Sequence, residues 1–378
     1  MCRYRPLAVL AVLLVPSAAV ACLWDFDTLQ QERSRFPDAL ELITGKFLRH
    51  SPEFYEWRAK DRRAKLAAAP TNLAYRDDLA VALDKLGRHD EAITVATESD
   101  RLRPGRYESA ANLGTFLIHA GRLEDGLAHI RRAIALNPDA HFGREVYQAK
   151  LVEYVLSRRK DGKLVLPLSG PHAGSFARFV LEDAPPPALA ERQAAIKGVL
   201  GMMRFGHHDS PVLLDALGSL LADRPDKPDA DAKRLAARAY LKASYEAKET
   251  DAVQKYRARA KEVLEMQSPR RDAYGQMALE DLEADFKREL VEAKAWYDEL
   301  RQKEIGWVRD GADPDAEFAK LYAADPAVSA PPEYDGPTVD DIYKRAILTA
   351  GAVVGLGLLG TLTLAGVLIW RVYRGRVK

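Results

Sequence analysis

Three prolines, Pro70, Pro104 and Pro138, stand 34 residues apart, and the residues between them repeat at the same offset. Leu79 matches Leu113, Ala80 matches Gly114, Leu83 matches Leu117, Gly87-Arg88 matches Gly121-Arg122, and Leu102 matches Leu136. A fixed period of this length restricts that part of the chain to stacked copies of one supersecondary unit. The unit reads as a helical hairpin. In the second copy Leu113, Leu117 and Ile118 form one apolar stripe at helical spacing, and Leu127, Ile130, Ala133 and Ile134 form the facing one. Gly121 separates them, where a left-handed helix end favours glycine. Asn137-Pro138 closes the copy, because proline disfavours helix in the residue before it. The small pairs Ala80/Gly114 and Ala92/Gly126 mark where the two helices of a hairpin must approach closely. Apolar residues make up 47% of the 378-residue chain, enough to bury a core around such hairpins.

The pattern resembles the tetratricopeptide repeat family over residues 73–138, through Leu113, Gly114 and Pro138 in one copy and Ala92 and Pro104 in the other. It departs from that family early in the first helix, where Arg76 and Ala110 replace the usual aromatic residue. The resemblance implies an all-α helical-hairpin repeat solenoid whose first helices line a concave groove. On that phase Asp77, Val81, Asp84 and Lys85 face the groove from the first copy. Glu108, Asn112, Thr115 and His119 face it from the second, and Glu145 from the following helix. Asn112 occupies the place where many members carry an asparagine that binds a peptide backbone, a task suited to an amide that both donates and accepts. Asp77, Glu108 and Val146 stand where a carboxylate clamp needs cations. The groove so read is mildly acidic and suits an extended protein or peptide segment that is basic or neutral.

Two repeats seldom stand alone, since each buries its apolar face on a neighbour. The flanks supply more helices. Ser51-Pro52 opens one that runs to Ala69, and residues 140–157 hold another, so a repeat domain is expected over 22–160. The phase is lost at 161–187, an inserted loop or short strand holding Leu164 to Pro167 and Pro185 to Pro187. A second set of hairpins is expected over 188–268, with helices at 188–204, 210–222, 231–248 and 250–267. A long helix follows within 269–308, where Leu279, Leu282, Phe286, Leu290, Ala293, Tyr297 and Leu300 form a stripe. That helix caps the solenoid or pairs with a second copy as a coiled coil. Residues 309–346, with five prolines, read as a spacer.

The two ends predict location. Arg3 and Arg5, the apolar run Leu7 to Val20, and Ala19-Val20-Ala21 have the form of a secretory signal over 1–21. Cleavage there makes Cys22 the first residue, an arrangement that resembles a bacterial lipoprotein signal and implies lipidation of Cys22; the other reading is plain cleavage, with Cys22 a small buried or tethered residue. Ala19 departs from the usual leucine. Residues 347–370 contain no charge and reach about 36 Å as a helix, enough to cross a bilayer. Four cations follow this transmembrane helix and two precede it, so the tail 371–378 is expected to be cytoplasmic and the body extracytoplasmic, periplasmic in a bacterium. Gly351 and Gly355 have the spacing that lets two such helices pack as a homodimer. With Arg3, Arg5 and the six cations flanking the span set aside, the body carries about seven more acidic than basic side chains, which disfavours nucleic acid as a partner.

Motifs for catalysis are lacking. The sequence contains no GxxxxGK[ST], GxSxG, HExxH or CxxC. Among eight histidines, His207-His208-Asp209 is the densest polar cluster, and Asp209 or Ser210 reads more simply as the cap of a helix starting at Pro211. His141 with Glu145 reads as a solvated pair four residues apart, and His172 with Ser175 lacks an orienting carboxylate. No metal ligands, catalytic residues or cofactors are assigned. The expectation is a single-pass, membrane-anchored interaction scaffold. Two other readings are an enzyme or enzyme subunit with a site in residues 160–230, and a structural part of an envelope assembly or secretion complex.

Overall fold

In a computed structural model the 34-residue period becomes two antiparallel helical hairpins; the structure describes residues 36–138, 140–168, 174–182, 189–222, 230–266 and 277–325. The first hairpin is α3 (Leu73–Lys85) and α4 (His89–Leu102), and the second is α5 (Tyr107–His119) and α6 (Leu123–Leu136), numbering α1 as Ala39–Thr44 and α2 as Pro52–Ala68. Both first helices end in the same way. Gly87 and Gly121 take φ of 73° and 79°, and their N–H groups donate to Asp84 and Ile118. The next N–H groups, of Arg88 and Arg122, donate to Leu83 and Leu117, so each end closes with the double hydrogen bond of a Schellman turn. Leu79, Ala80 and Leu83 pack with Ala92 and Ala96 and with Leu113, Phe116 and Leu117 in one buried cluster.

A 3-10 turn (Ala140–Gly143) leads into α7 (Arg144–Ser157). One face of α7, Ala149 and Val152, joins Leu127 and Ile130 of α6. Its other face, Tyr147, Leu151, Tyr154 and Val155, belongs to a larger core. That core is shared with the short α8 (Phe176–Leu181), α9 (Leu189–Phe205), α10 (Pro211–Ala222), α11 (Ala230–Glu246) and α12 (Thr250–Glu265). Helices α9 to α12 are within one or two residues of the expected bounds. The inserted segment contains α8, and among the described residues there is no strand, only an isolated bridge between Lys160 and Lys163.

The C-terminal part differs from the expected spacer. The long helix α13 (Leu279–Asp310) ends at Gly311, and α14 (Pro314–Ala324) follows, capped by Asp313 with Pro314 in its first turn. Leu282 and Phe286 of α13 join the large core, while Leu300 packs with Phe318 and Tyr322 of α14 beside Leu48. The apolar stripe of α13 is therefore spent inside the chain, on α1, α2, α11, α12 and α14, rather than left for a coiled coil.

Polar groups lock this return. Glu304 of α13 is fully buried and bonds His50 Nδ1 and the Ser51 N–H, each at 2.7 Å. The His50 ring stacks on Phe54 at 3.6 Å. Asp315 of α14 accepts from Arg58 and Arg62, both at 2.6 Å, and Arg62 also donates to Asp78 at 2.7 Å. The row of hairpins is thereby closed back on α2.

Among the described residues no helix is long and apolar enough to cross a membrane. The expected signal 1–21, Cys22, the span 347–370 with Gly351 and Gly355, and the tail 371–378 lie outside the described residues, as does His172.

Candidate functional site

The side of the repeats expected to form a groove is occupied by the chain itself. The first helices α3, α5 and α7 face the segment Phe205–Asp209, which joins α9 to α10. Lys85 Nζ, at the end of α3, donates to the carbonyl oxygens of Phe205 and Gly206 at 2.5 and 2.9 Å. The Arg144 guanidinium of α7 lies 4.4 Å from the centre of the Phe205 ring. His207 sits edge-on to His119 of α5, ring centres 4.9 Å apart, and His208 sits edge-on to Phe47 at 5.4 Å.

Two cavities are lined in part by this segment. The larger, about 390 Å³, lies between α5, α7, α9 and α10, with walls of Ile118, Leu123, Leu151, Val152, Val155 and Met202. Its polar lining includes Arg144, Gln148, Arg159, His119 and His207, and contains no carboxylate. Its volume is within the range of sites that hold a ligand or a partner's side chain. The smaller, about 260 Å³, is lined by Arg49, His50, Lys85, Arg204 and His208 with Asp209 as its one carboxylate. Loss of hydration, then the Arg49 guanidinium, pushes the His208 imidazole down to about 3, which leaves it neutral near pH 7.

Between the repeats stands a compact polar trio. Asp84, in the last turn of α3, is fully buried. The turn at Gly87 returns the chain so that His89, first residue of α4, brings its Nδ1 to 2.8 Å from one Asp84 oxygen. His119, at the end of the next first helix, brings its Nδ1 to 2.8 Å from the other oxygen. Burial alone would raise the Asp84 pKa, but the two imidazoles outweigh it and hold the carboxyl well below its usual range. The hydrogen bond to Asp84 raises the pKa of His89 against a smaller opposing effect of burial.

The nine groove residues read from the sequence are thus placed differently from the expectation. Asp77, Val81, Asp84, Asn112, Thr115 and Glu145 are buried, and Lys85, Glu108 and His119 are half-buried. Asp77 is clasped by Arg106, whose Nη1 lies 3.1 Å from Oδ1, and Glu108 pairs with the same guanidinium at 3.2 Å. Burial pushes the Asp77 carboxyl up, to about 7, with Arg106 pulling the other way. Glu145 accepts from the Tyr107 hydroxyl, and Thr115 Oγ1 accepts from Gln148 Nε2 at 3.2 Å. These carboxylates are answered within the chain, so the acidic groove is not an open acidic surface. His119 and Thr115 line the larger cavity, and Val81 and Lys85 the smaller.

Sequence reading assigned no metal ligands, whereas the structure brings Asp84, His89 and His119 together. Asp84 and His119 stand one period plus one residue apart, a spacing that could have pointed to their meeting; nothing local marks His207 as their neighbour. Ser175 has a structural task, capping α8 by accepting from the Arg178 N–H at 3.2 Å. A comparison with models of known protein families finds none that matches the chain, and a comparison with curated proteins finds no match.

Proposed function

We propose that the chain is a membrane-anchored helical-repeat scaffold of the tetratricopeptide type, whose extracytoplasmic body holds a protein partner by apolar side chains seated in the 390 Å³ cavity. The repeat assignment is supported by the 34-residue phase, by the matched turns at Gly87 and Gly121, and by the close helix approach at Gly114 and Gly126. Signal, anchor, Cys22 modification and dimerisation through Gly351 and Gly355 rest on the sequence.

The observation that carries the binding reading is the lining of that cavity, apolar at its walls and free of carboxylates at its rim. Apolar walls supply most of the affinity of such a site, and a few polar groups orient what enters. With the groove acids paired inside the chain, the ground for preferring a basic partner is gone. A neutral segment with a large apolar side chain suits the walls that remain.

The test is cross-linking capture from native membranes with the full-length protein and with Leu164→Glu. Leu164 lines the cavity yet is 45% exposed, so the change charges the lip without emptying the core. A partner captured by the wild type and lost by Leu164→Glu is the expected result. Capture of the same proteins by both would move the binding surface elsewhere.

A further inference from the structure

We propose that Asp84, His89 and His119 form a binding site for one divalent transition-metal ion of the zinc class, a site that joins the two repeats. One oxygen of Asp84 and one ring nitrogen from each histidine all lie within 4.8 Å of one another. A tetrahedral ion about 2.0–2.2 Å from each donor sets the donors about 3.3 Å apart, so side-chain rotation that moves no pair by more than roughly 1.5 Å completes the set. The ring centres of His89 and His119 stand 5.8 Å apart, and the His207 ring centre lies 4.9 Å from that of His119.

The donor chemistry selects the ion. Two imidazoles and one carboxylate suit zinc and its neighbours, while magnesium and calcium take oxygen donors almost throughout. The backbone holds the donors apart from any ion. Asp84 and His89 flank one Schellman turn, and His119 precedes the equivalent turn in the next repeat. The Asp84 carboxylate is wholly buried, but the side chains of His89 and His119 keep 26% and 19% of their exposure, which leaves a path for an ion. On binding, the ion replaces the two Nδ1–H to carboxylate hydrogen bonds, releases any proton the ligating nitrogens carry, and ties α3, α4 and α5 together. The site does not depend on the partner-binding reading, since it uses none of the apolar walls of the cavity.

The test uses the full chain in detergent, stripped of metal by a chelator and titrated with cobalt(II), then with zinc in competition. The expected result is one ion per chain, a tetrahedral cobalt spectrum, and a higher melting temperature with zinc. Affinity should fall by about tenfold or more in His89→Gln and in His119→Ala, with His129→Gln behaving as wild type. X-ray absorption on the zinc-loaded wild type guards against variants that fail to fold, and should count at least two imidazoles. The proposal is overturned by a wild type that binds no zinc at micromolar concentration, by a zinc shell without imidazole, or by a folded variant combining His89→Gln with His119→Ala that binds as tightly as wild type.

Discussion

Most of the charged residues on the inner side of the repeats are paired within the chain, and their burial sets what substitutions there will do. Asp77 is 3% exposed and clasped by Arg106, so Asp77→Lys puts two cations face to face in a dry site. We expect a loss of about 3–5 kcal/mol, read from urea denaturation, which makes this a folding variant and not a probe of binding. Glu283 is a case where pH reads the interaction. Its hydrogen bonds to Arg257, then to Lys287 and Tyr245, outweigh burial and hold its pKa down, at about 2 against an ordinary 4.5. Its folded pKa is depressed, so its contribution is complete above about 4.5 and is lost as pH falls toward 2. Glu283→Gln should cost about 1 kcal/mol at pH 7, allowing for solvent screening, and the gap from wild type should narrow steadily below pH 4.5. A gap that stays constant down to pH 3 would refute this.

Helix pairs are governed here by where small residues fall. Gly126 of α6 crosses α5 so closely that a Cβ would lie 2.6 Å from Ile118 Cγ1 and 2.8 Å from the carbonyl oxygen of Gly114. Backbone cannot rotate away as a side chain can, so Gly126→Ala should force the helices apart and cost about 1–3 kcal/mol despite alanine's better helix propensity. Gly306, inside α13, has nothing within 4 Å of its added Cβ. There only propensity acts, and Gly306→Ala should stabilise by about 0.5–1 kcal/mol. Thermal melts of the two variants should move in opposite directions; movement in the same direction would refute the crossing argument.

The whole molecule is closed by α13 and α14 returning to α2, and two buried acids hold that seam. Glu304→Ala would strand His50 Nδ1 and the Ser51 N–H, for an expected loss of about 2–4 kcal/mol. Hydrogen exchange should then quicken in α2 and α14 together, because both lean on the same seam; exchange confined to α13 would argue against closure. Much of the architecture below this scale was legible from residues alone. Period, hairpin turns, small crossing residues and most helix bounds follow from local rules, since stripe spacing, glycine at positive φ and proline at helix ends act within a few residues. The short α1 was not foreseen, and α14 was read as spacer because five prolines and many Asp and Ala residues mask one short helix started by Asp313-Pro314. The site was legible only in part. Phase placed Asp84, Lys85 and His119 on the inner side, yet it could not say that Phe205–Asp209 fills that side or that Asp84 meets two histidines. Those facts join residues up to about 120 positions apart, and such contacts are chosen by the packing of α9 and α10 against α7 and by the closure of α13, not by any pattern within a helix. The sequence by itself therefore determined the repeat and the faces of its helices, because these depend on neighbours in the chain. Whether those faces are open or covered was decided by tertiary structure alone, because burial depends on what packs against them.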